Sequence, residues 1–328
     1  MHEMHFETYF NSLIGGLTDS EYELVKQVTT FISQFSESSF GFKSIARPGV
    51  LAALNVFNHI RYLYGEDSRP TILEIGPGNG YLGAMLALQG YPYAATDVCQ
   101  AFYLYQNHFW NFVFRERVVE LAEAGNSNGP LISKMYPGAP VHIPWWKFAM
   151  LPPGALQDFD VITCNGVLAE MHVDALSFML HLARSSSSGS KYPTFLFDNW
   201  GSDQTGSRRA VMDAFHSTGF GFQHGDGNIN VYAQMARLSH PRTIALKALS
   251  RRIMRRISRV GPLRSFRLYD HLIAGANPIS KAIVLGRRAQ VKSVDLRQLE
   301  EFYVELLGDA PYLSKDEEFL TFVRHGGN

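Results

Sequence analysis

The stretch Ile72-Leu73-Glu74-Ile75-Gly76-Pro77-Gly78-Asn79-Gly80-Tyr81 decides how this chain is read. The apolar run 71–75 has the length of a buried strand, and 81–89 carries a helical pattern directly after the glycines. Glycine has no Cβ, so backbone here can come close to a ligand. The first turn of the following helix offers N–H donors with no intrahelical acceptor. In an open α/β sheet, ligands bind at this edge, beyond the carboxyl ends of the strands.

Working outward, 91–96 reads as a second strand and 98–114 as an aromatic helix. Further strands are expected at 141–143, 159–164 and 194–197, with helices at 172–184 and 208–217 between or after them. Residues 220–224 and 230–235 flank Gly225-Asp226-Gly227-Asn228, a hairpin signal. Alternating strands and helices imply a mostly parallel sheet covered on both faces, and the hairpin adds an antiparallel strand at one end. Before this region, 1–66 reads as helical. Asp19-Ser20-Glu21 starts one apolar-periodic run, and Pro48 suits the first turn of another. After it, 283–285 reads as a short strand among helices, and Ser314-Lys315-Asp316-Glu317 as a capping box. The chain thus divides into a helical region 1–69, an α/β domain 70–236 and a basic, mainly helical extension 237–328.

Two cofactors fit the glycine turn. Gly78-Asn79-Gly80-Tyr81-Leu82-Gly83 matches G-x-G-x-x-G, with Asp97 at 19 residues beyond Gly78. That is the spacing of a dinucleotide fingerprint, so an NAD(P)-dependent oxidoreductase is one reading. Against it, Glu74 stands two residues before the first glycine. A pyrophosphate does not call for a carboxylate there, whereas a cofactor with a cationic amino-acid part does.

On these residues the chain resembles the class I S-adenosylmethionine-dependent methyltransferases. Their first motif, an acid, an apolar residue and G-x-G-x-G, corresponds to Glu74-Ile75-Gly76-Pro77-Gly78-Asn79-Gly80. Asp97 corresponds to the acid that ends their second strand and binds both ribose hydroxyls. The resemblance covers about 70–235. It implies a Rossmann-like, seven-stranded, mostly parallel sheet with helices on both faces, an N-terminal helical cap and a C-terminal helical appendix. It also implies that Gly76, Gly78 and Gly80, with Pro77 and Asn79, line the methionine part of the cofactor, and that Glu74 acts at its cationic end. Val98, Asn165 and Gly166 complete that wall. The acid often found after the third strand is missing, and Trp145 or Trp146 is the candidate to stack on adenine.

After the strand at 159–164 comes Asn165-Gly166-Val167-Leu168-Ala169-Glu170-Met171-His172. It is not the N/D-P-P-Y/F motif of enzymes that methylate exocyclic base amines. Methyl transfer needs a positioned acceptor and a group to take its proton. Glu170 and His172 are the base candidates, His172 because imidazole titrates near neutrality. Capping of the next helix is the plainer role for both. Asp198-Asn199, with Asp203 nearby, resembles the Mg²⁺-binding pair of catechol-type methyltransferases. The third acid of that set is replaced by Asn165, so no metal is expected and Asp198 is kept as a catalytic candidate. The helical N-terminus together with 165–172 is similar to sugar O-methyltransferases. That implies a small-molecule acceptor with a sugar-like hydroxyl. The aromatic helix around Phe102, Tyr103, Tyr105, Phe109 and Trp110 offers sugar-stacking groups, though core packing explains those rings equally well.

Composition bounds the rest. With 46% hydrophobic and 18% charged residues, a disordered chain is excluded. Two cysteines make no disulfide framework, no run reaches the ~18 apolar residues of a membrane span, and the N-terminus lacks a signal-peptide pattern. A cytoplasmic protein is expected. The 30 basic and 30 acidic residues cancel, which argues against nucleic-acid binding through overall charge. The balance is uneven, however: 237–267 holds ten Lys/Arg and no acid, so the rest is net acidic. Arg251, Arg252, Arg255, Arg256 and Arg259 form one stripe of an amphipathic helix that suits an anionic substrate or a membrane surface. A packed helix with solvated arginines is the simpler alternative. A membrane- or nucleic-acid-associated module with a vestigial pocket is therefore the non-enzyme reading. Homo-oligomerisation is left open.

Overall fold

The structure, a computed structural model, describes residues 3–115, 117–122, 135–152, 154–156, 158–169, 171–183, 193–198, 208–226, 229–234 and 278–308. Three helices come first: α1 (Glu3–Leu13), α2 (Asp19–Phe40) and α3 (Arg47–Tyr64). α2 begins at the expected Asp19, with Thr18 as its N-cap. Thr18 Oγ1 accepts the Glu21 N–H at 3.2 Å, and Glu21 Oε2 accepts the Thr18 N–H at 2.8 Å, a reciprocal capping box. Gly41, at φ +79°, ends that helix.

The α/β part follows the expected alternation: β1 (Ile72–Ile75), α4 (Tyr81–Leu88), β2 (Tyr93–Asp97), α5 (Gln100–Phe114), β3 (Val119–Glu120), β4 (Pro140–Pro144), α6 (Trp145–Ala149), β5 (Val161–Thr163), α7 (Val173–Ala183), β6 (Thr194–Asp198), α8 (Arg208–Ser217), β7 (Phe220–Gly225) and β8 (Ile229–Gln234). The sheet order is β3-β4-β2-β1-β5-β6-β8-β7. Pairing is parallel from β3 through β6, and β8 runs antiparallel to both β6 and β7. This is a Rossmann-like sheet of eight strands rather than the expected seven. The addition is β3, a two-residue strand beside β4, too short to leave a periodic signal. The hairpin is present, and β8 lies inside the sheet between β6 and β7.

Two further helices are described beyond the sheet, α9 (Pro278–Ala289) and α10 (Leu296–Leu307). The strand expected at 283–285 is instead part of α9. Its three apolar residues do not share an environment: Ile283 is buried while Leu285 is 52% exposed. That pattern suits a helix with one buried face, opened by Pro278 near its first turn. A Cβ on Gly286 would sit 2.9 Å from the Tyr62 Cα, so α9 packs directly against the α3 backbone. Leu17 pairs with Val294 in an isolated bridge. The described part of the C-terminal extension is thus fastened to the N-terminal helices. The basic segment 237–267 and the box at Ser314 lie outside the described residues.

The sheet divides the core. One face carries α1–α5, α9 and α10, whose side chains, such as Leu54, Met85 and Phe109, cluster with Ile72 and Ala95 of the sheet. The other packs Leu73, Ile75, Ile162, Leu180, Phe195 and Phe215 beneath α7 and α8. β1, β2 and β4 are buried along their whole length. Sandwiched between two helical layers, they tolerate polar side chains only where partners exist.

Among the described residues no helix is long and apolar enough to cross a membrane.

Candidate active site

The carboxyl ends of β1, β2, β5 and β6 meet at one edge, and the glycine turn forms its floor. The Gly76 N–H donates to the Thr96 carbonyl at 2.8 Å, which carries the β1–β2 ladder one residue past the strand. The chain then turns sharply: the Gly80 N–H reaches the Pro77 carbonyl at 2.9 Å, and the Ala84 N–H reaches the Gly80 carbonyl at 3.0 Å to start α4. Gly76 sits at φ +67°, and a Cβ there would lie 2.3 Å from Val167 Cγ2. The turn after β5 closes against it, so nothing larger fits. Gly78 is at φ +56°, and a Cβ there would meet no described atom within 4 Å. Gly78 is therefore where the turn presents bare backbone to open space.

Glu74 lies buried beneath this turn. Its Oε2 accepts the Tyr93 hydroxyl at 2.6 Å. Burial pushes its carboxyl up to about 7; hydrogen bonds from Tyr93 and Asn165 oppose this, while the nearby Asp97 and Asp198 charges add to it. Asn165 also donates to Thr163 Oγ1 at 2.8 Å, and its Oδ1 lies 3.4 Å from the Asp198 N–H. Asp198 Oδ1 accepts the Gly166 N–H at 2.5 Å, tying the ends of β5 and β6 together. Burial raises the Asp198 carboxyl above its ordinary range, against the pull of the Gly166 N–H.

Asp97 closes the other side. Its Oδ1 accepts the Cys99 N–H at 2.9 Å and its Oδ2 accepts Gln106 Nε2 at 2.9 Å. The same Gln106 nitrogen donates to the Gly78 carbonyl at 2.7 Å. Gln106 Oε1 faces His142 Nε2 at 3.0 Å. The His142 ring stacks on Tyr103 with centroids 3.8 Å apart, and its Nδ1 stands 3.4 Å from Glu120 Oε2, an ion-pair separation. Burial works against ionisation of Glu120. The surrounding His142, Tyr103, Ala122 N–H and Asn107 overcome it and hold the carboxyl below its usual range.

Other site candidates stand apart from this network. Val98 is 82% exposed, directly after Asp97. Trp145 and Trp146 are half exposed at the end of β4, edge to face at 6.2 Å, and Trp146 lies 6.5 Å from the Tyr103 ring. His172 is exposed, and its Nδ1 accepts the Asp174 N–H at 3.3 Å, which caps α7. Glu170, Asn199 and Asp203 lie outside the described residues, as do Arg251, Arg252, Arg255, Arg256 and Arg259. Among the described residues no three His, Cys, Asp or Glu cluster as a metal site would require. Of the rings on α5, Tyr103, Phe109 and Trp110 are buried in packing while Phe102 is exposed.

No family model matches the chain, and no curated protein matches it. Solved structures similar to it include magnesium protoporphyrin IX methyltransferase from Synechocystis PCC 6803 with bound SAH, at 12% identity over 71% of this chain and 100% of that one, TM-score 0.39. The CcbJ methyltransferase from Streptomyces caelestis is similar at 13% identity over 64% and 99% of the two chains, TM-score 0.37. A TehB-like SAM-dependent methyltransferase from Corynebacterium glutamicum is similar at 12% identity over 54% and 88%, TM-score 0.35.

Gln106, His142 and Glu120 are the residues that reading the motifs missed. One signal was present. Tyr103, Gln106, Phe109, Trp110 and Phe114 make the buried stripe of α5, and Gln106 is the polar member of it.

Proposed function

We propose that this chain is a class I S-adenosylmethionine-dependent methyltransferase acting on an oxygen of a sugar-like small molecule. One observation carries the reading. A buried carboxylate, Glu74, lies under a glycine turn whose open residue, Gly78, is hydrogen-bonded through one amide to the acid ending the next strand, Asp97. Such a site offers a negative charge to a cationic amino-acid part and bare backbone beside it. Among the described residues two hydrogen bonds reach Asp97. A carboxylate accepts about four, so it has capacity for two ribose hydroxyls.

Bound S-adenosylmethionine supplies a methyl group already activated on a sulfonium. Gly76, Pro77, Gly78, Asn79 and Gly80 line its methionine part, with Glu74 at the cationic end and Asn165-Gly166 at the β5 side. Val98 and one of the indoles of Trp145 and Trp146 cover the adenine. Both indoles are half exposed at the end of β4, which leaves ring surface open for stacking. For the acceptor's proton, Asp198 is the better placed of the described candidates. A neutral His172 that accepts the Asp174 N–H through Nδ1 carries its own proton on Nε2, so it donates there rather than accepts. Among the described residues the Asp198 carboxylate accepts the Gly166 N–H through Oδ1, and it stands at the edge where the strand ends converge. Glu170 stays a candidate from the motif alone.

Titration calorimetry with S-adenosylhomocysteine and with NAD(P)H tests the cofactor. The expected result is binding of the former and none of the latter; the reverse overturns the methyltransferase reading in favour of a dinucleotide enzyme. Screening sugar nucleotides and glycosides by mass spectrometry then tests the acceptor. Methylation of amines or thiols alone overturns the sugar assignment while leaving the cofactor intact.

A further inference from the structure

We infer that Gln106 and His142 are positioning residues of the cofactor site: they hold the Asp97 carboxylate and the glycine turn in fixed relation through one oriented amide. The inference rests on the methyltransferase reading and names a part of the site that lies outside its motifs.

The orientation of the amide follows from its partners. Gln106 Nε2 stands 2.7 Å from the Gly78 carbonyl and 2.9 Å from Asp97 Oδ2, both acceptors. An NH₂ group has two hydrogens, one for each. A flipped amide would place its oxygen against two acceptors in a buried setting, where each unmet group is costly. Oε1 therefore faces the other way, toward His142 Nε2 at 3.0 Å, and that ring nitrogen must donate. Three contacts keep the ring in place. Tyr103 stacks on one face at 3.8 Å, the Trp110 ring meets it edge to face at 5.0 Å, and Glu120 stands beyond Nδ1 at 3.4 Å. Glu120 is itself fixed by the Tyr103 hydroxyl at 2.5 Å, Asn107 Nδ2 at 2.6 Å and the Ala122 N–H at 2.7 Å.

The consequence concerns two walls of one pocket. The glycine turn follows β1 and Asp97 ends β2, and the site requires Gly78 and Asp97 to face one ligand together. The β1–β2 ladder sets the strands, but beyond it the two groups are loop backbone and a side chain with rotamer freedom. Gln106 removes that freedom before the ligand arrives, so less ordering remains when it binds. His142 and Glu120 act at one remove, by keeping Gln106 from turning over.

The test measures the dissociation constant of S-adenosylhomocysteine, and of its analogue lacking both ribose hydroxyls, by calorimetry. Gln106→Leu keeps the volume and removes the amide. It should weaken S-adenosylhomocysteine binding by about tenfold to hundredfold, the loss of a hydrogen bond to a charged group. The penalty should be much smaller on the analogue, because Gln106 acts there through Asp97 on hydroxyls that are absent. His142→Gln retains a donor toward Gln106 Oε1 and should bind nearly as wild type, whereas His142→Leu should fall toward Gln106→Leu. Equal penalties on both ligands, or none on either, overturn the inference, as does failure of His142→Gln to restore what His142→Leu loses. If wild type binds S-adenosylhomocysteine normally in those cases, the methyltransferase reading survives without the positioning role. If wild type binds neither ligand, both fall.

Discussion

Replacing Glu74 by Gln separates the charge beneath the glycine turn from its hydrogen bond. The amide oxygen still accepts the Tyr93 hydroxyl, now held by Glu74 Oε2 at 2.6 Å, but it carries no charge. In the wild type, burial lifts this carboxyl from the ordinary 4.5 to about 7. A carboxyl raised on folding binds its proton more tightly in the folded chain than in the unfolded one. Stability is therefore full below about pH 4.5, falls as pH climbs, and levels off above about 7. At about 1.4 kcal/mol per pH unit, the span amounts to about 3 kcal/mol. Urea unfolding of both proteins from pH 5 to pH 8.5 isolates it, since most other titrations cancel in the difference. The Gln variant should gain on the wild type across this range by a few kcal/mol, with the difference flattening above neutrality. Binding S-adenosylmethionine adds a cation beside the carboxylate, so the wild type should release protons on binding near pH 6.5, read from calorimetry in two buffers of different ionisation enthalpy. The Gln variant should release none. A stability difference that stays flat from pH 5 to pH 8.5 would refute the reasoning, because Glu74 would then keep one charge state throughout.

Two further outcomes test the turn and the fastening of the helices. Gly76→Ala drives a Cβ to 2.3 Å from Val167 at φ +67° and should lower stability by about 2–4 kcal/mol in thermal unfolding, whereas Gly78→Ala, facing open space at φ +56°, should cost about 1 kcal/mol and act mainly on S-adenosylhomocysteine affinity. Equal stability losses would show that the β5 turn does not close on Gly76. Asp226 accepts His59 Nε2 at 3.0 Å and is paired with Arg287, joining α3, the β7–β8 hairpin and α9. Burial alone would raise its carboxyl. The His59 hydrogen bond and the charges of His59 and Arg287 instead hold it well below the usual range. Asp226→Ala should destabilise by about 1–3 kcal/mol near neutrality, the loss of hydrogen bonds to a charged group whose Arg287 partner is half exposed. A carboxyl lowered on folding gives up its contribution only as pH falls, so wild type and variant should converge in acid, at pH values below the ordinary carboxylate range. A difference that persists unchanged there would contradict the pairing.

What sequence could show here depended on whether a chemical requirement was local. Residues 74–80 are contiguous, and a strand, a sharp turn and a helix start each leave a mark within a few residues; the same holds for Asp97 at a strand end. β3 has two residues and no period, so the eighth strand had no mark to read. The three apolar residues at 283–285 are too few to tell a strand from one buried helical face, and the α3 backbone 2.9 Å from a Cβ on Gly286 settled that choice from outside the segment. The Gln106–His142–Glu120 network shows the limit most clearly. Gln106 is a polar residue in the buried stripe of α5, and His142 is a polar residue inside an apolar strand buried on both faces. Each position alone announces that a partner must exist, because a buried polar side chain without one is costly. Neither says which partner. They meet only because β4 pairs with β2 in the register that sets His142 against Ala95, while α5 crosses over both strands. Polar residues inside apolar periodic runs are therefore the ones to pair with each other when a site built from distant segments is sought, and in this chain that rule leads from Gln106 to His142 and on to Asp97.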